Sequence, residues 1–129
     1  MHVSDAVLLA QSGGGEIIFS RLAPQTRIDA HCGPTNLRLT AHLPLLVPNK
    51  SEDCKIRIKK KWYHWKIGKI LLFDDSYEHE IRNDTDQVRI VLLIRFFHPL
   101  LSCEQRQLKL TEARRQKELA VEKRYIPPV

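Results

Sequence analysis

The chain lacks any run of about 18 apolar residues, the length that a membrane-crossing helix needs. Arg95 interrupts the apolar stretch Ile90–Leu101, and Ala6–Ala10 is short, with no cationic stretch before it. Neither a transmembrane helix nor a secretory leader is expected, so the chain reads as soluble and without an address of its own. Cysteine is scarce: Cys32, Cys54 and Cys103 are odd in number and fit no zinc spacing, which argues against a disulfide framework and for free or buried thiols. There is no internal repeat. The formal net charge of +6 would suit nucleic acid, an anionic membrane surface or acidic substrates. No nucleic-acid recognition motif accompanies it, so the charge reads as a solvated surface.

What is present fits one domain. A length of 129 residues with 43% hydrophobic side chains is enough to fill a single core. Met1–Gly15 reads as an irregular entry ending in Gly13-Gly14-Gly15. Glu16–Leu22 and Arg27–Cys32 read as short strands around the turn Ala23-Pro24-Gln25. Asn36–Val47 is a longer strand, with Leu37, Leu39, Ala41 and Leu43 on one face. A period of two sends Arg38, Thr40 and His42 together into the space on the other face.

Pro48–Asp53 is a polar loop, and Cys54–Lys60, Lys69–Phe73, Tyr77–Arg82 and Gln87–Phe97 are further strands. The last is an almost continuous apolar run, as in a strand buried on both faces. Many short strands with turns between them argue for a closed or sandwiched β-architecture. After His98-Pro99 the character switches. Ser102–Gln105 resembles a capping box, and Glu104–Arg124 is one helix of strong helix formers with a weak apolar stripe at Leu108, Ala113, Leu119 and Ala120.

Two stretches concentrate the chemistry, His31–Leu43 (HCGPTNLRLTAHL) and Phe73–Ile81 (FDDSYEHEI). They deliver His31, His42 and His79 from separate strands, which is how a metal pocket inside a β-barrel is assembled. Asp74-Asp75-Ser76 make a turn that orients the strand carrying His79.

These residues resemble the aspartyl/asparaginyl β-hydroxylase family. Its pattern H-x-G-P-T-N-x-R-L-x-x-H-L falls at His31–Leu43, F-D-D-S-[FY]-E-H-E at Phe73–Glu80, R-[IVL]-[VIL] at Arg89–Val91, and H-P at His98–Pro99. The likeness runs in order from about residue 16 to about residue 100. Trp65–Lys69 matches the family's W-x-x-G turn, which accounts for Trp62, Tyr63 and Trp65 among Lys59–Lys61 better than a nucleic-acid surface does.

The resemblance implies an all-β, double-stranded β-helix (jelly-roll, cupin-like) domain with a C-terminal α-helix. Its parts are an irregular N-terminal segment (1–15), the oxygenase domain (16–101) and a C-terminal helix and tail (102–129). It further implies an oxygenase that uses Fe(II) and 2-oxoglutarate to hydroxylate the β-carbon of Asp or Asn side chains in a protein or peptide. His31 and His79 match the family's metal ligands. Gly33 stands where most oxygenases of this class place a carboxylate ligand, and in this family water fills that position. Ser20 and Arg89 match the groups that hold the far carboxylate of 2-oxoglutarate, and His42 the group at its iron-bound end. Thr40 stands at a cosubstrate-contacting position that is Arg in the family, with Arg38 on the same strand face. The family also has a longer segment before the Ser20 strand. Two alternatives follow: hydroxylation of a lipid acyl chain, as in a related branch, or a non-catalytic metal-binding jelly-roll. Family members are often anchored in the endoplasmic reticulum through an upstream segment, to which nothing in these residues corresponds, so the compartment is not indicated.

Overall fold

Among the described residues the strands follow the alternation of apolar and polar residues. The computed structural model describes residues 16–124; the segment 1–15 with its Gly13–Gly15, and the tail beyond residue 124, lie outside the described residues. The strands are β1 (Ile17–Leu22), β2 (Thr26–His31), β3 (Arg38–Leu46), β4 (Cys54–Ile58), β5 (Lys61–His64), β6 (Leu71–Phe73), β7 (His79–Asn83) and β8 (Arg89–Phe97). A 3-10 turn at Ser51–Asp53 precedes β4, and helix α1 (Cys103–Arg124) closes the described chain.

The strands pair antiparallel in two sheets of four, ordered β1-β8-β3-β6 and β2-β7-β4-β5. Chain neighbours mostly lie in opposite sheets, so the polypeptide winds back and forth between two layers, which is the expected jelly-roll. The inner faces meet over Leu22, Cys54, Ile56, Trp65, Phe73, Ile81 and Val91. Removing a fully buried aromatic such as Trp65 from a core of this kind costs about 3–5 kcal/mol. Burial also pushes the Cys54 thiol up to about 11. That residue is an inert part of the core.

Three details depart from the sequence expectations. Strand β5 lies between the expected strands Cys54–Lys60 and Lys69–Phe73, where the sequence pattern predicts none. Its hairpin with β4 pairs Ile58 with Lys61, and the connection puts Lys59 at φ 56°, a conformation that hairpins usually give to Gly or Asn. Strand β8 is not buried along both faces: Arg89, Val91, Phe96 and Phe97 are buried, whereas the stretch Leu92–Arg95 is only half-buried. Helix α1 is anchored through Leu110, which packs on Phe97 and Leu101, whereas Leu108 and Leu119 of the expected stripe are exposed. The capping box is present: Gln105 N donates to Ser102 Oγ at 3.1 Å and Ser102 N to Gln105 Oε1 at 2.8 Å.

Two loops set the ends of the cavity-bearing strands. Buried Asn83 donates to the carbonyls of Ala23 and Gln87 at 3.0 and 2.8 Å, tying the turn before β2 to the turn before β8. Gly68, at φ +79°, closes the turn after Trp65, where Lys69 N donates to Lys66 O at 3.1 Å. That turn returns Trp65 to the interior.

Candidate active site

Strands β2 and β7 place the first two histidines. Thr26, Arg27 and Ile28 pair with Asn83, Arg82 and Ile81, but the register then slips so that His31 faces His79. In a regular ladder Ala30 would oppose His79 and His31 would point to the outer face. The bulge turns His31 inward. As a result Ile28 and His31, three residues apart, line the same cavity of about 170 Å3 as His79 and Ile81. The two imidazole centroids lie 4.3 Å apart, close enough for one nitrogen of each ring to reach a common divalent ion at bonds of about 2 Å.

Backbone contacts decide which nitrogen each ring offers. His31 Nδ1 lies 2.8 Å from the carbonyl of Asp29, and His79 Nδ1 lies 2.8 Å from the carbonyl of Tyr77. A carbonyl only accepts, so each Nδ1 carries the proton and each Nε2 keeps its lone pair. Neutral Nε2 donors suit a first-row divalent ion. Among the described residues no set of three His, Cys, Asp or Glu side chains is placed to hold a metal.

The space that a side chain at position 33 would need is filled. A Cβ added to Gly33 would lie 2.7 Å from Asp75 Oδ1 and 2.8 Å from both its Cγ and its carbonyl oxygen, and Gly33 N donates to that carbonyl at 2.6 Å. Asp75 is 3% exposed. Its Oδ2 is ion-paired with Arg95 at 3.4 Å and Arg38 at 3.7 Å, while Oδ1 is buried without a hydrogen-bond partner. A buried carboxylate oxygen with no partner, on a residue that lines the same cavity as the two imidazoles, fits an ion bearing water.

The far end of the cavity is cationic. Arg89 is 2% exposed, and its Nη2 donates to Ser20 Oγ at 2.9 Å. Nε and Nη1 are buried without partners, donors left over for a planar anion such as a carboxylate. Burial lowers this guanidinium to about 10, which leaves it charged at neutral pH. His42 is pushed down to about 3, first by burial and then by the charges of Arg89 and Arg95, so it is neutral. Its Nδ1 accepts from the Trp65 indole N–H at 3.1 Å. The Arg89 guanidinium lies over the Trp65 ring, 4.5 Å from its centroid.

Ser20, His31, Thr40, His42, His79 and Arg89 all line this one cavity. Thr40 is 1% exposed, with a buried Oγ1 that has no partner, and it sits directly across the β3–β8 ladder from Arg95. Arg95 pairs with Glu16 and Asp75. Burial, and then the charge of Arg95, lower Arg38. Asp74 is the turn residue of its pair, accepting from Ser76 N and Oγ at 2.9 and 2.7 Å. Asp75, Trp65 and Arg95 are the residues whose place in the site the sequence pattern did not reveal. The absent acid at position 33 was the signal that could have directed attention to Asp75.

A family model described as aspartyl/asparaginyl beta-hydroxylase matches residues 3–99. The mouse and human aspartyl/asparaginyl beta-hydroxylases are each 42% identical over 93 residues, which is 72% of this chain and 12% of theirs. The ornithine lipid ester-linked acyl 2-hydroxylase of Rhizobium tropici is 45% identical over 85 residues, 66% of this chain and 30% of its own. The chain thus spans less than a third of the length of each of these relatives. Among solved structures, a predicted oxalate decarboxylase from Thermotoga maritima superposes with a TM-score of 0.51 at 18% identity, over 69% of this chain and 72% of that one. The cupin domain of Schizosaccharomyces pombe Cnp3 gives 0.50 at 7% identity, over 64% and 52%. At such identities the likeness speaks for the fold alone.

Proposed function

The chain belongs to the aspartyl/asparaginyl β-hydroxylase family, and from that premise we propose that it acts as an Fe(II)- and 2-oxoglutarate-dependent oxygenase hydroxylating the β-carbon of Asp or Asn side chains in a protein substrate. One observation carries the reading. The imidazoles of His31 and His79 and the side chain of Arg89, whose Nε and Nη1 have no hydrogen-bond partner, line a single cavity. When bound, iron and 2-oxoglutarate supply the oxidation that places one atom of dioxygen on a C–H bond.

The chain's own residues bind, orient and exclude. His31 and His79 hold the metal through Nε2, with Nδ1 locked on backbone carbonyls. Asp75 Oδ1, buried without a partner, would accept a hydrogen bond from a water carried by that metal. Arg89, steadied by Ser20 Oγ, takes the distal carboxylate of 2-oxoglutarate in its planar fork. Neutral His42, with Nδ1 engaged by Trp65, would offer Nε2–H to the other carboxylate of 2-oxoglutarate. Phe73, Ile81 and Leu93 form the apolar wall, which limits water at the reacting carbon.

The second reading is acyl-chain hydroxylation of a lipid. It is favoured by the identity to the Rhizobium acyl 2-hydroxylase and by exposed Ile17, Phe19 and Leu72 on the sheet that carries β8. Incubation with Fe(II), 2-oxoglutarate and dioxygen, against Asp- or Asn-containing peptides in one arm and acylated amino-acid lipids in the other, separates the two. Mass spectrometry finds one added oxygen on the β-carbon of a peptide side chain if the first reading holds. Addition to the lipid alone transfers the assignment to the second, and succinate-free reactions with no added oxygen in either arm overturn both.

A further inference from the structure

Three imidazoles line one cavity, and the partner of Nδ1 assigns each its chemistry. His31 and His79 face carbonyls and are left with a lone pair on Nε2. His42 faces the Trp65 indole, which can only donate, at 3.1 Å. In its neutral form His42 must therefore accept at Nδ1 and carry its proton on Nε2. An N–H donor suits an anion and cannot serve a metal.

The same tryptophan meets the other anion-binding side chain. The guanidinium carbon of Arg89 lies 4.5 Å from the Trp65 ring centroid, and among the described residues no carboxylate pairs with Arg89. A buried cation without a counter-ion is costly, and an aromatic face offsets part of that cost while holding the guanidinium plane in place. Trp65 is itself 1% exposed. It is not among the residues lining the cavity, so whatever it does there it does through His42 and Arg89.

We infer that Trp65 is the positioning residue of the anion pocket, fixing His42 as an N–H donor through its indole nitrogen and orienting Arg89 through its ring face. The inference rests on the oxygenase reading only in naming 2-oxoglutarate as the anion. The tautomer of His42 can be read without any cosubstrate.

Two measurements test it. Long-range proton–nitrogen correlation spectra of the metal-free protein at neutral pH report the tautomer of each cavity imidazole. His42 should show a single Nε2–H form, opposite to His31 and His79, and Trp65→Phe should abolish that single form. Calorimetry with Mn(II) in place of iron then gives 2-oxoglutarate affinity. Trp65→Phe, which keeps a ring face but loses the N–H, should weaken it about tenfold, and Trp65→Leu should weaken it further. Mn(II) affinity should stay within about twofold in both. In a His42→Gln background, whose amide offers N–H whatever stands at position 65, Trp65→Phe should change affinity far less.

An unchanged His42 tautomer in Trp65→Phe overturns the inference. So does a loss of Mn(II) affinity in step with 2-oxoglutarate affinity, which would make Trp65 merely a core residue. If the wild type takes up Mn(II) but no 2-oxoglutarate, the oxygenase reading fails, and the tautomer spectra still decide the role of Trp65.

Discussion

Replacing Gly33 by Asp would give this chain the carboxylate that most two-histidine oxygenases carry at that place, yet the structure says that metal binding will weaken. The new Cβ would stand 2.7 Å from Asp75 Oδ1 and 2.8 Å from its backbone oxygen. The backbone contact cannot be relieved by a side-chain rotation, because Gly33 N is also hydrogen-bonded to that oxygen at 2.6 Å. Either the turn after His31 or the turn before His79 must move, and overpacking of this kind costs about 1–3 kcal/mol. The strain falls on the connection between the two histidines. A tenfold change in affinity corresponds to about 1.4 kcal/mol, so Mn(II) affinity should drop by roughly 5- to 140-fold. Gly33→Ala should do the same with no new charge. Asp75→Gly in the Gly33→Asp background removes the side-chain half of the clash and should recover part of the loss. Calorimetric Mn(II) titration alongside thermal unfolding decides the matter. Tighter metal binding in Gly33→Asp with an unchanged Tm would refute the reasoning.

Other perturbations follow from the same geometry. Arg89→Lys keeps the charge but loses the fork and its contact with Ser20 Oγ, so 2-oxoglutarate affinity in the Mn(II)-loaded protein should fall at least about tenfold while metal affinity holds; equal losses of both would show that Arg89 supports the fold instead. Thr40→Arg restores a family residue, but Arg95 stands opposite it on β8, and like charges directly opposite each other on a ladder destabilise it. Cosubstrate binding should therefore not tighten unless Arg95→Thr is added, and a tighter single variant would contradict this. His42 is neutral when folded because burial pushes it from 6.5 to about 3, whereas the unfolded chain takes up that proton below about pH 6.5. Its contribution to stability is complete above pH 6.5 and is lost as pH falls toward about 3, at up to about 1.4 kcal/mol per pH unit. Denaturant unfolding of the metal-free protein should show a shallower acid limb in His42→Gln, and identical limbs would refute the assignment.

The residues that pattern could reach were those whose neighbours in the chain already define them. His31, Gly33 and His79 lie inside dense motifs, and the alternation of Asn36–Val47 was enough to send Thr40 and His42 to one side. Their common cavity, however, depends on features that no local pattern carries. The slip between Ile28 and His31 is what brings His31 to the inner face, and strict alternation would have turned it outward. Asp75 reads as a turn residue beside Asp74, and only the closeness of Gly33, far away in the chain, shows that its carboxylate occupies the space a side chain at position 33 would need. Arg95 looked like an interruption of an apolar run until the register set it across from Thr40. Trp65 was legible as part of a turn, but its hydrogen bond to His42 crosses between elements and is visible only in three dimensions.

The most direct test of the central claim is the visible absorption spectrum of the protein mixed anaerobically with Fe(II) and 2-oxoglutarate. Chelation of the keto acid to a two-histidine iron centre should produce a charge-transfer band that saturates at one equivalent of each and disappears in His31→Ala and in His79→Ala. A protein that takes up both components without the band, or a band of full strength in either histidine variant, would contradict the account.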